Sequence, residues 1–190
     1  MLKLREPTDP RWVETVLADM DAFLVDHAAC ERKASATAMS FVVRYPDRRE
    51  ILDPMIALAR EELEHFHQVY RLIEARGIQL PSDEKDPYIQ GLTPWVRSRG
   101  AERFLDRLVL GGVVEARGCE RFGLVAEALP QGELKTFYED ITRSEARHAG
   151  LFHRLARVYF DDETVNERVE SLLEHEAEVV RGLALRAALH

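Results

Sequence analysis

The chain has 190 residues, enough to bury one sizeable core, and its 26 Lys and Arg against 34 Asp and Glu leave a formal charge of −8. That balance gives no overall attraction to a polyanion, so a nucleic-acid partner needs a local basic patch. No run approaches the ~18 apolar residues that span a bilayer, the opening MLKLREPTDPRW lacks a signal peptide's apolar stretch, and Cys30 and Cys119 show no Cys-x-x-Cys spacing. The composition therefore predicts an unexported, cytoplasmic protein with no membrane partner, disulfide framework or zinc knuckle.

Apolar residues recur at steps of three and four through most of the chain, the period of an amphipathic helix, and strand signals are nearly absent. Thr8, Asp9 and Pro10 open a first helix that the pattern carries from Arg11 to Arg44, where Tyr45 and Pro46 interrupt it. Asp47 can cap a second helix running to Arg76, with Gly77 as a left-handed stop and Pro54 either kinking its first turns or marking a later start. Residues 78–100 hold Pro81, Pro87, Gly91, Pro94 and Gly100, too many breakers for a long helix, and are expected to form a crossover. A third helix spans Ala101–Leu129, a fourth Glu133–Phe160 after Pro130 and Gly132, and Asp161, Asp162 and Glu163 open a fifth that reaches Leu185. Two long hairpins joined by a crossover predict an all-α, ferritin-like four-helix bundle, with the crossover between helices two and three, an additional C-terminal helix, and residues 1–190 as one domain.

Four of these helices place polar residues where the period assigns the core, and a buried charge is costly unless paired or bound to metal. Glu31 sits mid-seam in Val13, Leu17, Met20, Leu24, His27, Glu31, Ala34, Ala38, Phe41. The second helix reads Met55, Ala59, Glu62, Phe66, Val69, Ile73, with His65 one turn from Glu62. The third gives Phe104, Leu108, Gly111, Glu115, Cys119, Phe122, Ala126, and the fourth Leu134, Tyr138, Ile141, Glu145, His148, Phe152, Leu155, Tyr159. One Glu from each of two helices and Glu-x-x-His from the other two is the ligand pattern of a di-iron carboxylate bundle. Residues three apart on a helix point the same way, so a carboxylate and an imidazole grip one ion while a facing carboxylate bridges two.

A competing register pairs Glu64 with His67, but its seam, Leu52, Ile56, Arg60, Leu63, His67, Tyr70, would bury Arg60. His27, one turn before Glu31, is either a partner of that ligand or a satisfied core histidine, and Glu61 either orients His65 or is an exposed charge. Gly111 and Gly112 either leave room for oxygen or a substrate tip, or permit close helix packing. Carboxylate-rich ligation with two imidazoles favours iron or manganese over zinc or copper and leaves positions open for dioxygen. No catalytic residue beyond the metal centre is identified.

The segments HAACERKAS around Glu31, LAREELEHFHQV around Glu62 and His65, VVEARGCERF around Glu115 and SEARHAGLF around Glu145 and His148 resemble those of the bacterial tRNA 2-methylthio-isopentenyladenosine hydroxylases. The similarity covers most of the chain. It implies a non-haem di-iron enzyme that uses dioxygen as co-substrate and an unidentified electron donor to hydroxylate the isopentenyl group of a modified adenosine in tRNA. Glu31 and Glu115 match the family's single helix glutamates, and Glu62 with His65 and Glu145 with His148 match its paired motifs. For tRNA contact the sequence offers Arg97, Arg99, Arg103 and Arg107 near the crossover, Arg44, Arg48 and Arg49 elsewhere, and Trp95 as a platform for an extruded base. The alternative is a ferritin-like or rubrerythrin-like iron-binding or peroxide-scavenging protein, although a rubrerythrin usually carries a cysteine cluster that this chain lacks.

Overall fold

The computed structural model describes residues 2–82 and 84–190. Asp83, inside the expected crossover, and Met1 lie outside the described residues. The helices are α1 (Pro10–Ala18), α2 (Met20–Arg44), α3 (Arg49–Ala75), α4 (Pro87–Leu92), α5 (Gly100–Ala128), α6 (Glu133–Tyr159) and α7 (Asp162–Gly182), with a 3-10 turn at Thr93–Trp95. Among the described residues no strand occurs, and no helix is long and apolar enough to cross a membrane.

The first expected helix is two. Asp19 interrupts it with φ −141° and ψ 67°, and its side chain accepts from the Ala22 amide, so it acts as an N-cap that starts α2 anew. The interruption shifts the buried face, and Trp12 and Val16 are buried while Leu17, expected on the seam, is 42% exposed. Pro54 is accommodated inside α3. The stop at Gly77 is as expected: its φ is +70°, its amide donates to Glu74 O at 2.9 Å, and Ile78 N donates to Ile73 O at 3.2 Å, satisfying two orphan carbonyls. The breaker-rich segment folds into short α4, capped by the Asp86 side chain on Tyr88 and Ile89 amides, followed by the 3-10 turn.

The chain groups into two compact units. One comprises Glu14–Glu84 with Arg186–Leu189, and is a hairpin of α2 against α3. Phe23, Leu24, Phe41, Ile51, Met55, Val69 and Ile73 are all fully buried, each contributing about 1.5–3 kcal/mol of transfer free energy. Ser35 Oγ donates to Ala59 O at 2.7 Å across the hairpin.

The other unit comprises Met1–Val13, Lys85–Leu185 and His190, with α5 packed along α6 and α7 against α5 and α4. Lys135 near the start of α6 donates to the carbonyls of Ala126 and Leu129, closing the C-terminus of α5. The α5 helix is buried on more than one face, and its second buried face carries charge. Arg117, wholly buried, donates from Nε to Glu176 Oε1 at 2.8 Å and from Nη2 to Glu176 Oε2 at 3.1 Å and Glu6 O at 2.7 Å, and also pairs with Glu120. Tyr88 Oη donates to Glu176 Oε1 at 3.1 Å, Thr8 Oγ1 to Glu120 Oε2 at 2.7 Å, and Arg121 stacks over Trp12 at 5.1 Å. Burial pulls the Arg117 guanidinium down, but Glu176 and Glu120 outweigh it, whereas burial and the neighbouring Arg117 push Arg121 down to about 10. This network ties the N-terminal segment, α4 and α7 to α5.

Candidate metal centre

In the α2–α3 hairpin, Glu31, Glu62 and His65 are 3%, 0% and 7% exposed. One ligand atom from each lies within 4.8 Å of the others. His65 Nδ1 is 3.1 Å from Glu62 Oε2 and 3.6 Å from Glu31 Oε2. The other Glu31 oxygen, Oε1, accepts from His27 Nε2 at 2.7 Å, and His27 is fully buried. The fork left open by the sequence is thereby decided for a hydrogen-bond partner of Glu31. Burial alone would raise the Glu31 carboxyl, but His27 and His65 hold it well below the usual carboxylate range. Burial likewise lowers His65, and Glu31 and Glu62 overcome it, pushing the ring up to about 10. The two carboxylates draw positive charge to this point, which is the electrostatic requirement of a cation site.

The α5–α6 pair holds a matching triad. Glu115, Glu145 and His148 are 9%, 4% and 3% exposed, with ligand atoms within 4.8 Å of one another and His148 Nδ1 3.7 Å from Glu145 Oε1. Each triad is therefore two carboxylates and one imidazole, hard oxygen donors with one borderline nitrogen, and this donor chemistry fits iron or manganese. Glu64 and His67 are exposed, so α3 turns the 62/65 pair inward. Gly111 has a packing role, since a Cβ there would stand 2.6 Å from the Phe152 ring.

Other sequence-selected residues are differently employed. Trp95 donates its indole N–H to Ser171 Oγ at 3.1 Å, and the Arg168 guanidinium covers its ring at 3.8 Å, so a base does not have that face to itself. Arg97 is clamped on Asp106 by Nε at 2.8 Å and Nη2 at 2.7 Å, and Arg103 donates to Ser98 O at 3.1 Å. Arg97 and Arg103 of the expected crossover patch are thus engaged within the chain itself. His27, the Arg117 network and Asp106 are among the buried polar groups whose employment the helical period leaves unassigned.

The family model for tRNA-(MS[2]IO[6]A)-hydroxylase (MiaE) matches residues 2–190. A tRNA 2-(methylsulfanyl)-N(6)-isopentenyladenosine(37) hydroxylase of Pseudomonas putida is 38% identical over 175 residues, covering 92% of this chain and 85% of that protein. The protein of the same description from Salmonella typhimurium is 28% identical over 223 residues, covering 92% and 82%. Among solved structures, Protein 43 with aldehyde deformylating oxygenase activity from Synechococcus matches with a TM-score of 0.94 and 37% identity, over 100% of this chain and 96% of that one. The fold is accordingly the expected all-α, ferritin-like class, with its crossover and additional C-terminal helix. The chain belongs to the tRNA-(MS[2]IO[6]A)-hydroxylase (MiaE) family.

Proposed function

We propose that this protein is an oxygen-dependent hydroxylase of the isopentenyl group of 2-(methylsulfanyl)-N6-isopentenyladenosine in tRNA. In this reading residues 1–190 act as one domain, and Glu31, Glu62, His65, Glu115, Glu145 and His148 jointly hold two non-haem iron ions. The supporting observation is the coincidence of whole-chain family membership with two buried Glu/Glu/His triads of the same composition. Bound iron supplies the activation of dioxygen that attack on an unactivated C–H bond requires. Hydroxylation puts one oxygen atom into the substrate and reduces the other to water, so two electrons and two protons must come from a separate donor. Its place of action is the cytoplasm, where tRNA is found.

The chain's own groups set the conditions. His27 holds Glu31 Oε1 by its hydrogen bond, leaving Oε2 directed to the His65 side. The near-complete burial of all six side chains keeps bulk water from the reacting centre.

The test is to compare nucleosides of tRNA from cells lacking such a hydroxylase with and without this gene. A gain of one oxygen on the isopentenyl nucleoside is expected, together with about two irons per purified chain. Glu115→Ala or His148→Ala should abolish the product and lower bound iron while the helical circular-dichroism spectrum persists. Product formation by either variant would remove that residue from the centre, and a wild-type protein that yields no oxidised nucleoside would defeat the assignment.

A further inference from the structure

A −8 protein that engages a polyanion must do so where its own acids are absent. Most clusters of cations here are interleaved with acids. Arg97 and Arg103 lie among Glu102 and Asp106, Arg44, Arg48 and Arg49 beside Asp47 and Glu50, and Arg60 beside Glu61 and Glu64. The α6 helix differs between Ile141 and Phe160, a stretch flanked by exposed acids at Asp140 and Asp161. From Ile141 to Phe160 the exposed residues are Arg143, Arg147, Arg154, Arg157 and Val158, and the one acid of the stretch, Glu145, is buried.

The four arginines follow steps of four, seven and three residues, which return to one face of a helix. They form a rail of ~21 Å at 1.5 Å per residue. Local contacts hold its members along the helix. Arg147 donates to Arg143 O at 3.2 Å and Ser144 Oγ at 3.0 Å, Arg143 pairs with Asp140, and Arg157 contacts Asp162 at 2.6 Å and Asn166 at 2.8 Å. Gly150 lies mid-rail, and Arg154 Nη1 stands only 3.1 Å from where a Cβ on it would be, so the missing side chain lets that guanidinium lie close against the helix. Glu145 and His148 project from the opposite, buried face of the same helix.

We infer that the outward face of α6, formed by Arg143, Arg147, Arg154 and Arg157, grips the phosphodiester backbone of the RNA substrate. The inference rests on the tRNA-hydroxylase reading and adds to it the surface that meets the nucleic acid. Guanidinium groups bind phosphate with charge-assisted, bidentate geometry. A backbone seated there runs beside the helix that carries two of the six ligands. A nucleoside turned out of its strand then has about 10 Å, one helix diameter, to cover to reach the inner face.

The experiment titrates iron-loaded wild-type protein and Arg147→Glu/Arg154→Glu with a labelled, unmodified tRNA transcript between 50 and 200 mM salt. The expected result is affinity weakened by about tenfold or more at ~0.1 M salt, and a plot of log K against log salt shallower by about 1.5. Arg147→Gln/Arg154→Gln should show a smaller loss with a similar change in slope, and decides the matter if the reversed-charge variant misfolds. Arg60→Glu/Arg71→Glu, two exposed arginines of α3, should leave affinity within about twofold of wild type. Tight wild-type binding that both α6 variants leave unchanged would overturn the rail while leaving the hydroxylase reading intact. A wild-type protein that binds no tRNA at any salt would defeat the reading itself. Rail-dependent binding to phosphatidylglycerol vesicles with none to tRNA would overturn the rail as an RNA surface.

Discussion

Replacing Glu176 by Ala tests the account of the buried network most directly. Glu176 and Arg117 are both wholly buried, and Glu176 accepts two bonds from Arg117 and one from Tyr88. Its removal leaves Arg117 with Glu120 and the Glu6 carbonyl and takes away the acceptor of a buried phenol. Stripping one partner from a buried ion pair costs about 3–5 kcal/mol. A chain of this size loses about 2–4 °C per kcal/mol, so the midpoint should fall by about 6–20 °C. Thermal and urea unfolding followed at 222 nm read the global effect. Hydrogen exchange should show the loss concentrated in α4 and in residues 5–9, the segments the network fastens to α5. Arg5→Ala, which breaks the exposed pairs with Glu170 and Glu174, should leave the midpoint unchanged. The paired replacement Arg117→Met with Glu176→Leu should recover most of the loss, because it removes the desolvation penalty along with the attraction. A midpoint for Glu176→Ala within about 2 °C of wild type would refute the claim that this pair is a structural tie.

The remaining predictions follow from single contacts. His27→Phe removes the donor to Glu31 Oε1, and iron affinity should drop about 10–100-fold in equilibrium dialysis; His27→Gln, which keeps a donor, should retain part of it, and unchanged affinity in His27→Phe would reduce His27 to a packing residue. Gly111→Ala should cost about 1–3 kcal/mol, since its Cβ would fall 2.6 Å from the Phe152 ring. By contrast Gly123→Ala, whose Cβ would meet Thr142 at an ordinary 3.6 Å, should gain about 0.5–1 kcal/mol in urea unfolding. Burial raises the Asp106 carboxyl, but hydrogen bonds from Arg97 and Arg168 outweigh it and lower it below 3.8. A depressed carboxylate stabilises the fold above its unfolded value and ceases to do so as pH falls through the folded one. The stability gap between wild type and Asp106→Asn should therefore be full at pH 6 and narrow below about pH 4, which urea midpoints across that range would reveal.

The candidate ligand residues were legible because a glutamate or histidine in the inward seam of a helix's central turns stands out against apolar neighbours. The same logic separated Glu62 and His65 from Glu64 and His67, since only the first pair shares a face with Met55 and Val69. Where a second rule intervened, periodicity misled. The apolar stripe runs on past Asp19, so nothing in the spacing announces that its carboxylate will cap a new helix and that Trp12 and Val16 will replace Leu17 inside. Arg117 lies off the α5 seam, where a charge reads as solvated. It is buried because Glu176, on α7 and far along the chain, meets it there. Trp95 looked available for a base because its cover, Arg168, comes from the same distant helix.

The α6 helix shows why function was easier to read inward than outward. Its buried face alternates apolar residues with Glu145 and His148, a contrast of polar against apolar that one sequence displays. Its outer face is a contrast of positive against negative, and the sequence interleaves the two faces, so that Glu145 stands between Arg143 and Arg147 as though it neutralised them. Burial takes that carboxylate away from the outer surface. With it gone, the arginines become a cationic strip whose two ends pair with Asp140 and Asp162, on a chain whose net charge opposes RNA, and the proposed metal ligands and the proposed RNA surface fall on opposite sides of one helix. A substitution that exposes a new acid on the outer face, such as Gly150→Glu, should therefore weaken RNA binding in filter-binding titrations without lowering bound iron. An equal loss of both would mean that the faces are not independent.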